Sequence, residues 1–351
     1  MIGLHRVASI SPLAIIATRV LAVLAALLVG GVAFAFAGYD VPALASNVLS
    51  ASLGTQFGLQ DLGLLVSPLL LTGLAAAVTL RIGLWNIGAE GQFYAGAVAA
   101  TLVGLNLHTN DAVALTIMAV AGFAGGAAWI LVPALARATL AIDEIITTLL
   151  LNFVALLFVN YLCTGPMRDP SQAVTSASRR VPYEIPALDG DLHWGLGLAI
   201  ALVVLMAFVL SFTGWGYEVR VAGANRHAAH YAGVPVRKRL MQVMLLSGGI
   251  AGLAGMLEIA GTVHRLQGGI SNNFGYLGVM VAVLAGGLPI AVLPAAALMG
   301  VILNGGIVSQ AFGVSTNEVL ALTGLVLLFI AIGEPLAYYR LTATRLKRAA
   351  A

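Results

Sequence analysis

The chain has 351 residues, 60% of them hydrophobic and 9% charged, with a formal net charge of +3 and a mean hydropathy of +1.00. That balance excludes a charged, nucleic-acid-binding surface: apolar runs of about 18 residues or more recur along the whole length, the pattern of a polytopic membrane protein. The single cysteine, Cys163, excludes an internal disulfide, and many of the 41 glycines lie inside apolar runs, where they permit close helix approach.

The first apolar run, 13–37, follows Arg6. It is too long for the core of a signal peptide and has no convincing cleavage site before Gly38, so it reads as the first span. Further spans are expected near 62–80, 88–105, 112–135, 143–163, 193–213, 241–262, 276–290, 291–308 and 318–337, about ten crossings of an all-α protein. The eighth and ninth are short and flank Gly286-Gly287-Leu288-Pro289, which leaves a re-entrant pair or one interrupted helix open as alternatives. The polar stretches 164–192 and 214–240 are too short to build a core, so residues 1–351 read as a single transmembrane domain.

Orientation follows from the basic residues. With ten spans and a cytoplasmic N-terminus, thirteen of seventeen fall inside: Arg6, Arg19, Arg81, Arg137, Arg220, Arg226, Arg237, Lys238, Arg239, Arg340, Arg345, Lys347 and Arg348. Arg168, Arg179, Arg180 and Arg265 fall outside, and both termini are expected in the cytoplasm.

Several chemistries have no sequence basis. There is no G-x-x-x-x-G-K-[ST] loop to cradle ATP, and the only lysines are Lys238 and Lys347. The six histidines form no metal motif, and no serine lies in a nucleophile-elbow context.

Polar residues inside the apolar runs carry the functional signal. In WNIGAEGQFYAG (85–96), Asn86, Glu90 and Tyr94 follow i, i+4, i+8 spacing, one face of a helix, while Gly83, Gly88 and Gly91 allow a break. A charge facing lipid costs about 3 kcal/mol, so Glu90 is expected at an aqueous cavity, a partner or the cytoplasmic helix end. An interfacial turn with Arg81 and Glu90 both in water is the competing reading. In DEIITTLLLNFVALLFVNY (143–161), Asp143 and Glu144 are expected to cap a helix. Thr148 and Asn152 share a deeper face, where Asn152 either bonds a neighbouring helix or faces a pathway. In QVMLLSGGIAGLAGMLEIAG (242–261), Ser247 and Glu258 align with Gly248, Ala251 and Gly255, a close-packing face with Glu258 at a solvated mouth.

Six segments in order resemble one family: GLWNIGAEGQ (83–92), DEIITTLLLNFVA (143–155), NYLCTGPMRDP (160–170), VRVAGANRHAAHYAGV (219–234), GLAGMLEIAG (252–261) and FGYLGVMVAVLAGGLP (274–289). Together they resemble the permease subunit of bacterial nucleoside-type ABC importers, a branch of the group that includes ribose and branched-chain amino-acid permeases. The resemblance runs from about Gly38 to Pro335. It implies a type II ABC importer permease fold in the cytoplasmic (inner) membrane and a transport subunit, not an enzyme. It also implies a second homologous permease, cytoplasmic ATPases that bind the ATP and Mg, and an external substrate-binding lipoprotein. No cofactor is expected in this chain itself.

The resemblance further implies that 83–92 is an interrupted region lining the path, with Trp85, Asn86, Glu90, Gln92, Phe93, Asn152 and Glu258 as pathway residues. The amides and carboxylates would offer transient hydrogen bonds to a nucleoside, and Trp85 or Phe93 a stacking surface. Arg81 then lies deeper, and the charge bias becomes twelve against four. Loop 214–240 becomes the coupling segment: Gly223 and Gly233 set its turns, Asn225 lies within it, and Ala228, Ala229 and Tyr231 pack into an ATPase groove. Loop 164–192, rich in proline and mixed charge, is expected to be ordered and to dock the binding protein; as a plain reading it only joins two helices. The rival functions are an ion-coupled secondary transporter using Glu90 and Glu258 as proton carriers, and an ABC permease for a simple sugar.

Overall fold

The computed structural model describes residues 2–6, 12–171, 176–337 and 339–343. Arg345, Lys347 and Arg348 of the expected cytoplasmic set, and residues 172–175 of the outer loop, lie outside the described residues.

Apolar runs become helices because a backbone surrounded by hydrocarbon must bond its own N–H and C=O groups. In chain order the helices are α1 (Pro12–Phe36), α2 (Val41–Leu53), α3 (Gln56–Leu80), α4 (Ala89–Asn106), α5 (Asp111–Leu140), α6 (Glu144–Thr164) and α7 (Gly195–Phe212). They continue as α8 (Gly214–Ala224), α9 (Arg226–Tyr231), α10 (Val236–Leu257), α11 (Phe274–Leu284), α12 (Val292–Gln310) and α13 (Thr316–Ala337). Polar residues fix where several begin: the side chains of Thr55, Asn110, Asp143, Thr213 and Asn225 each accept a backbone N–H from the first turn of α3, α5, α6, α8 and α9. Short antiparallel pairs join Ile2–Arg6 to Tyr339–Ala343 and Ala187–Asp189 to Leu192–His193.

All ten expected spans correspond to helices, but two of them do not qualify to cross alone: α4, at the expected 88–105, has the length but is not apolar enough, and α11, at 276–290, is not long enough. Among the described residues eight helices are long and apolar enough to cross a membrane. The eighth expected run is only the 11-residue α11, which at about 1.5 Å per residue covers roughly half a hydrocarbon core. Gly286 (φ 63°) and Gly287 (φ 65°) then turn the chain into a 3-10 turn, Pro289–Ala291, ahead of α12. The helices α2 and α8 were not anticipated as separate elements, because each is too short or too polar to register as an apolar run.

The chain divides into two compact units. In the first, residues 1–51 with 305–351, α1 runs beside α13 with Leu322 seated on Gly30, and the Tyr39 hydroxyl donates to Glu318 Oε2 at 3.0 Å. In the second, residues 52–304, α10 and its wider π-turn extension (Glu258–Val263) form the hub against α3, α4 and α5, and α11 packs on α3. The hub depends on missing side chains. A Cβ at Gly252 would strike the Gly122 carbonyl oxygen and lie 2.9 Å from Gly126 Cα, and one at Gly255 would strike the Phe93 carbonyl oxygen. Glycine here lets helix backbones touch, which gains dispersion contact that lipid cannot supply.

Candidate functional site: a pinned break between two helices

Helix α3 stops at Leu80, Gly83 turns with φ 72°, and the chain runs without helix to Gly88 before α4 begins. Asn86 therefore precedes the helix and does not share a face with Glu90 and Tyr94, as uninterrupted i, i+4 spacing would require. Its side chain folds back instead. Asn86 Nδ2 donates to Gln92 Oε1 at 2.7 Å and to Ser247 Oγ at 2.8 Å, and Gln92 Nε2 donates to Asn86 Oδ1 at 2.8 Å. Ser247 passes its own proton to the Ala75 carbonyl at 2.6 Å, linking α10 to α3. Asn152 staples α6 to the same break, donating to the Ile87 carbonyl and accepting from Gly91 N–H, both at 2.9 Å. Asn152 thus makes a bond to a neighbouring segment, one of the two roles expected for it.

Glu90, in the first turn of α4, is buried and reaches across to α11. Its Oε2 accepts the Gly275 N–H at 2.9 Å and its Oε1 accepts the Ser271 hydroxyl. Because Ser271 gives its only proton to the carboxylate, the Tyr94 hydroxyl, 3.0 Å from the same Oγ, is the donor in that contact. Helix α11 has no side-chain cap of its own, so Glu90 supplies the negative charge its N-terminus favours. Sequence reading missed Ser271 and Gly275; the run Ser271-Asn272-Asn273 ahead of an apolar helix was the available signal.

The remaining expected pathway residues separate. Trp85 is 41% exposed, and its backbone N–H donates to Glu144 Oε1 at 3.3 Å. Phe93 is fully buried, edge-on to Tyr94 at 6.1 Å, so its ring offers no free stacking face in this chain. Glu258 is 4% exposed at the start of the π turn, a buried position and not a solvated mouth. Asp143 caps α6 as expected, whereas Glu144 forms a largely buried ion pair with Arg137 Nε at 3.0 Å.

The second cluster is the segment 214–240, where α8 and α9 form a bent pair. Gly223 does not set a turn: it lies inside α8, where an added Cβ would strike the Arg81 carbonyl oxygen, so the segment packs directly on the break. Gly233 does turn, with φ 79°, and Asn225 ends α8 and caps α9. On α9, Tyr231 is 92% exposed and Ala228 is exposed, but Ala229 is fully buried within its own chain, which removes it from any outward docking face. Arg239 Nε binds Glu218 Oε2 at 2.6 Å and Gln242 accepts from both Arg239 and Trp215, tying α8 to α10. The Arg239 hydrogen bond holds the Glu218 carboxyl below its ordinary pKa.

At the opposite end, the segment 176–192 is ordered as a lining laid along 260–266: Ser178 N–H bonds Leu266 O, Val181 N–H bonds His264 O and Ile185 N–H bonds Ala260 O, each at 2.8 Å. Below it His193 is buried, and its Nδ1 accepts Gly195 N–H at 3.0 Å. Burial, with some help from the nearby His264, pushes the His193 pKa below its usual value.

The family described as branched-chain amino acid transport system permease component matches residues 58–331. The glucose ABC transporter permease protein of Haloferax volcanii is 37% identical over 338 residues, covering 92% of this chain and 89% of its own length. The guanosine ABC transporter permease protein NupP of Bacillus subtilis is 32% identical, covering 89% of this chain and 91% of itself. The nucleoside ABC transporter permease protein NupB of Lactococcus lactis is 28% identical, covering 89% of each. No solved structure matches this chain.

Proposed function

This chain belongs to the branched-chain amino acid transport system permease component family, and on that footing we propose that it carries nucleosides inward as one half of an ATP-driven conduit. It is a multi-pass membrane protein and a transport subunit, not an enzyme. The observation that carries the nucleoside reading is the likeness, over 89% of this chain, to two permeases named for guanosine and nucleosides. The other half of the conduit is a second homologous permease, cytoplasmic ATPases bind the ATP and Mg, and an external lipoprotein delivers the solute. Both termini face the cytoplasm, a reading supported by the basic-residue bias and by the pairing of Ile2–Arg6 with Tyr339–Ala343.

The break 81–88 is the moving part of the path. Asn86, Gln92 and Asn152 hold one another and the backbone when no solute is bound; a passing nucleoside exchanges those bonds for its own hydroxyls and base edges, while Trp85 offers a half-exposed ring for stacking. Each exchanged bond is worth only about 1 kcal/mol net, which suits release over retention. Glu90 braces α4 against the start of α11 beside that path. ATP-driven closure of the ATPases presses on Tyr231 and Ala228, and Gly223 hands the movement to Arg81 and the break.

A second reading, transport of a simple sugar, is favoured by the 37% identity to the glucose permease. Uptake by the reconstituted four-part transporter separates them. Radiolabelled guanosine is expected to accumulate with ATP and to resist competition by a hundredfold excess of glucose. Accumulation of glucose with no guanosine uptake would replace the nucleoside reading by the sugar reading.

A further inference from the structure

Beside the pinned break lies Trp129 of α5, which no motif singled out. Its indole Nε1 is buried and has no hydrogen-bond partner among the described residues. The nitrogen sits over the first turn of α4: a Cβ built on Gly91 would lie 2.9 Å from it and 3.0 Å from Asn152 Oδ1. The gap it faces is lined by Gly88, Gln92, Thr148, Pro133 and Leu151, and is too narrow to admit water. The nearby acceptors are engaged: Asn152 Oδ1 takes the Gly91 N–H and Gln92 Oε1 takes an Asn86 proton. Buried indole N–H groups ordinarily find a partner, so an unmatched one beside three matched amides marks a bond that another state of the molecule completes.

Building on the reading of this break as the solute path, we propose that Trp129 is a specificity-determining residue whose N–H donates to an acceptor of the solute once α5 and α6 part from α4. The flat indole beside the gap also suits a planar base. Gly91 is then glycine for a reason beyond packing, since a methyl there would occupy the place the acceptor needs.

The test uses the complete reconstituted transporter, with guanosine, its 7-deaza and 3′-deoxy analogues, and glucose as solutes. Trp129→Phe keeps an aromatic ring and removes the N–H; it is expected to lower the apparent kcat/KM for guanosine by roughly two- to tenfold, the value of one neutral hydrogen bond. That loss should vanish for the analogue lacking the accepting atom, and Trp129→His, which keeps a ring N–H, should recover part of it. Unchanged kinetics in Trp129→Phe, or an equal loss for every solute, would overturn the assignment, the second outcome pointing to a packing role. If Trp129→Phe does not assemble, the same comparison is read from Trp129→His, where an equal loss for every solute overturns it. Wild-type transporter that moves glucose and not guanosine refutes the nucleoside reading alone, and the variants are then compared on deoxyglucose analogues. Wild type that moves neither refutes both.

Discussion

Glu90 shows how a single carboxylate can be afforded inside an apolar bundle. Both of its oxygens are occupied, by Gly275 N–H and by Ser271, so its burial leaves no unmatched acceptor and its charge meets a helix N-terminus. Glu90→Ala leaves that N–H and hydroxyl unpaired, and we expect a loss of about 1–3 kcal/mol in stability together with slower uptake in an assembled complex. Glu90→Gln, which keeps an acceptor, should lose less of both. Thermal unfolding in detergent and initial uptake rates check this; loss of assembly in both variants would make Glu90 a folding residue alone. Just ahead of α7, His193 gives a pH dependence of known sign. Its native pKa lies below the unfolded value of about 6.5, so the native state takes up fewer protons than the unfolded chain as acid is added. Stability is therefore full above pH ~6.5 and is lost as pH falls toward the native pKa. Melting temperatures between pH 7.5 and 5 should decline in wild type and decline less in His193→Asn, which retains an acceptor for Gly195 N–H; parallel slopes would argue against it.

Among the elements, α9 is the least self-supporting. It has six residues, is capped by Asn225, and presents Tyr231 almost fully to solvent while Ala229 anchors it from below. A large aromatic side chain left outside on a short helix is a contact in search of a partner surface. Tyr231→Arg should leave this chain folded and should sever solute uptake from ATP hydrolysis. Wild-type uptake and wild-type stimulation of the ATPase in that variant would remove α9 from the coupling role. On the proposed coupling, α8 would carry such a signal: Gly223 packs close against the Arg81 carbonyl, and the Glu218–Arg239 ion pair ties α8 to α10.

For the molecule as a whole, the exposed apolar faces of α5, α6 and α7 belong to lipid or to neighbouring subunits, and the chain carries no phosphate-binding loop. The purified chain alone in liposomes is therefore expected to move no guanosine or glucose, with or without a proton gradient; gradient-driven uptake by the lone chain would restore the ion-coupled alternative. Much of this was legible in the sequence. The ten apolar runs and the Asp143 cap followed from hydropathy and local motifs, because helix formation in a membrane is decided by neighbours within a few turns, while the transport class was implied by the resemblance of six ordered segments to a permease family. What needed the tertiary structure were the partners of the polar groups. Glu90 meets Ser271 across 181 residues, and Asn86 meets Ser247 across 161, separations over which spacing in one segment carries no information. The i, i+4, i+8 stripe misled at Asn86 because periodicity assumes an unbroken helix, and only the packing of α3, α6 and α10 around Gly83–Gly88 makes the break more favourable than the helix.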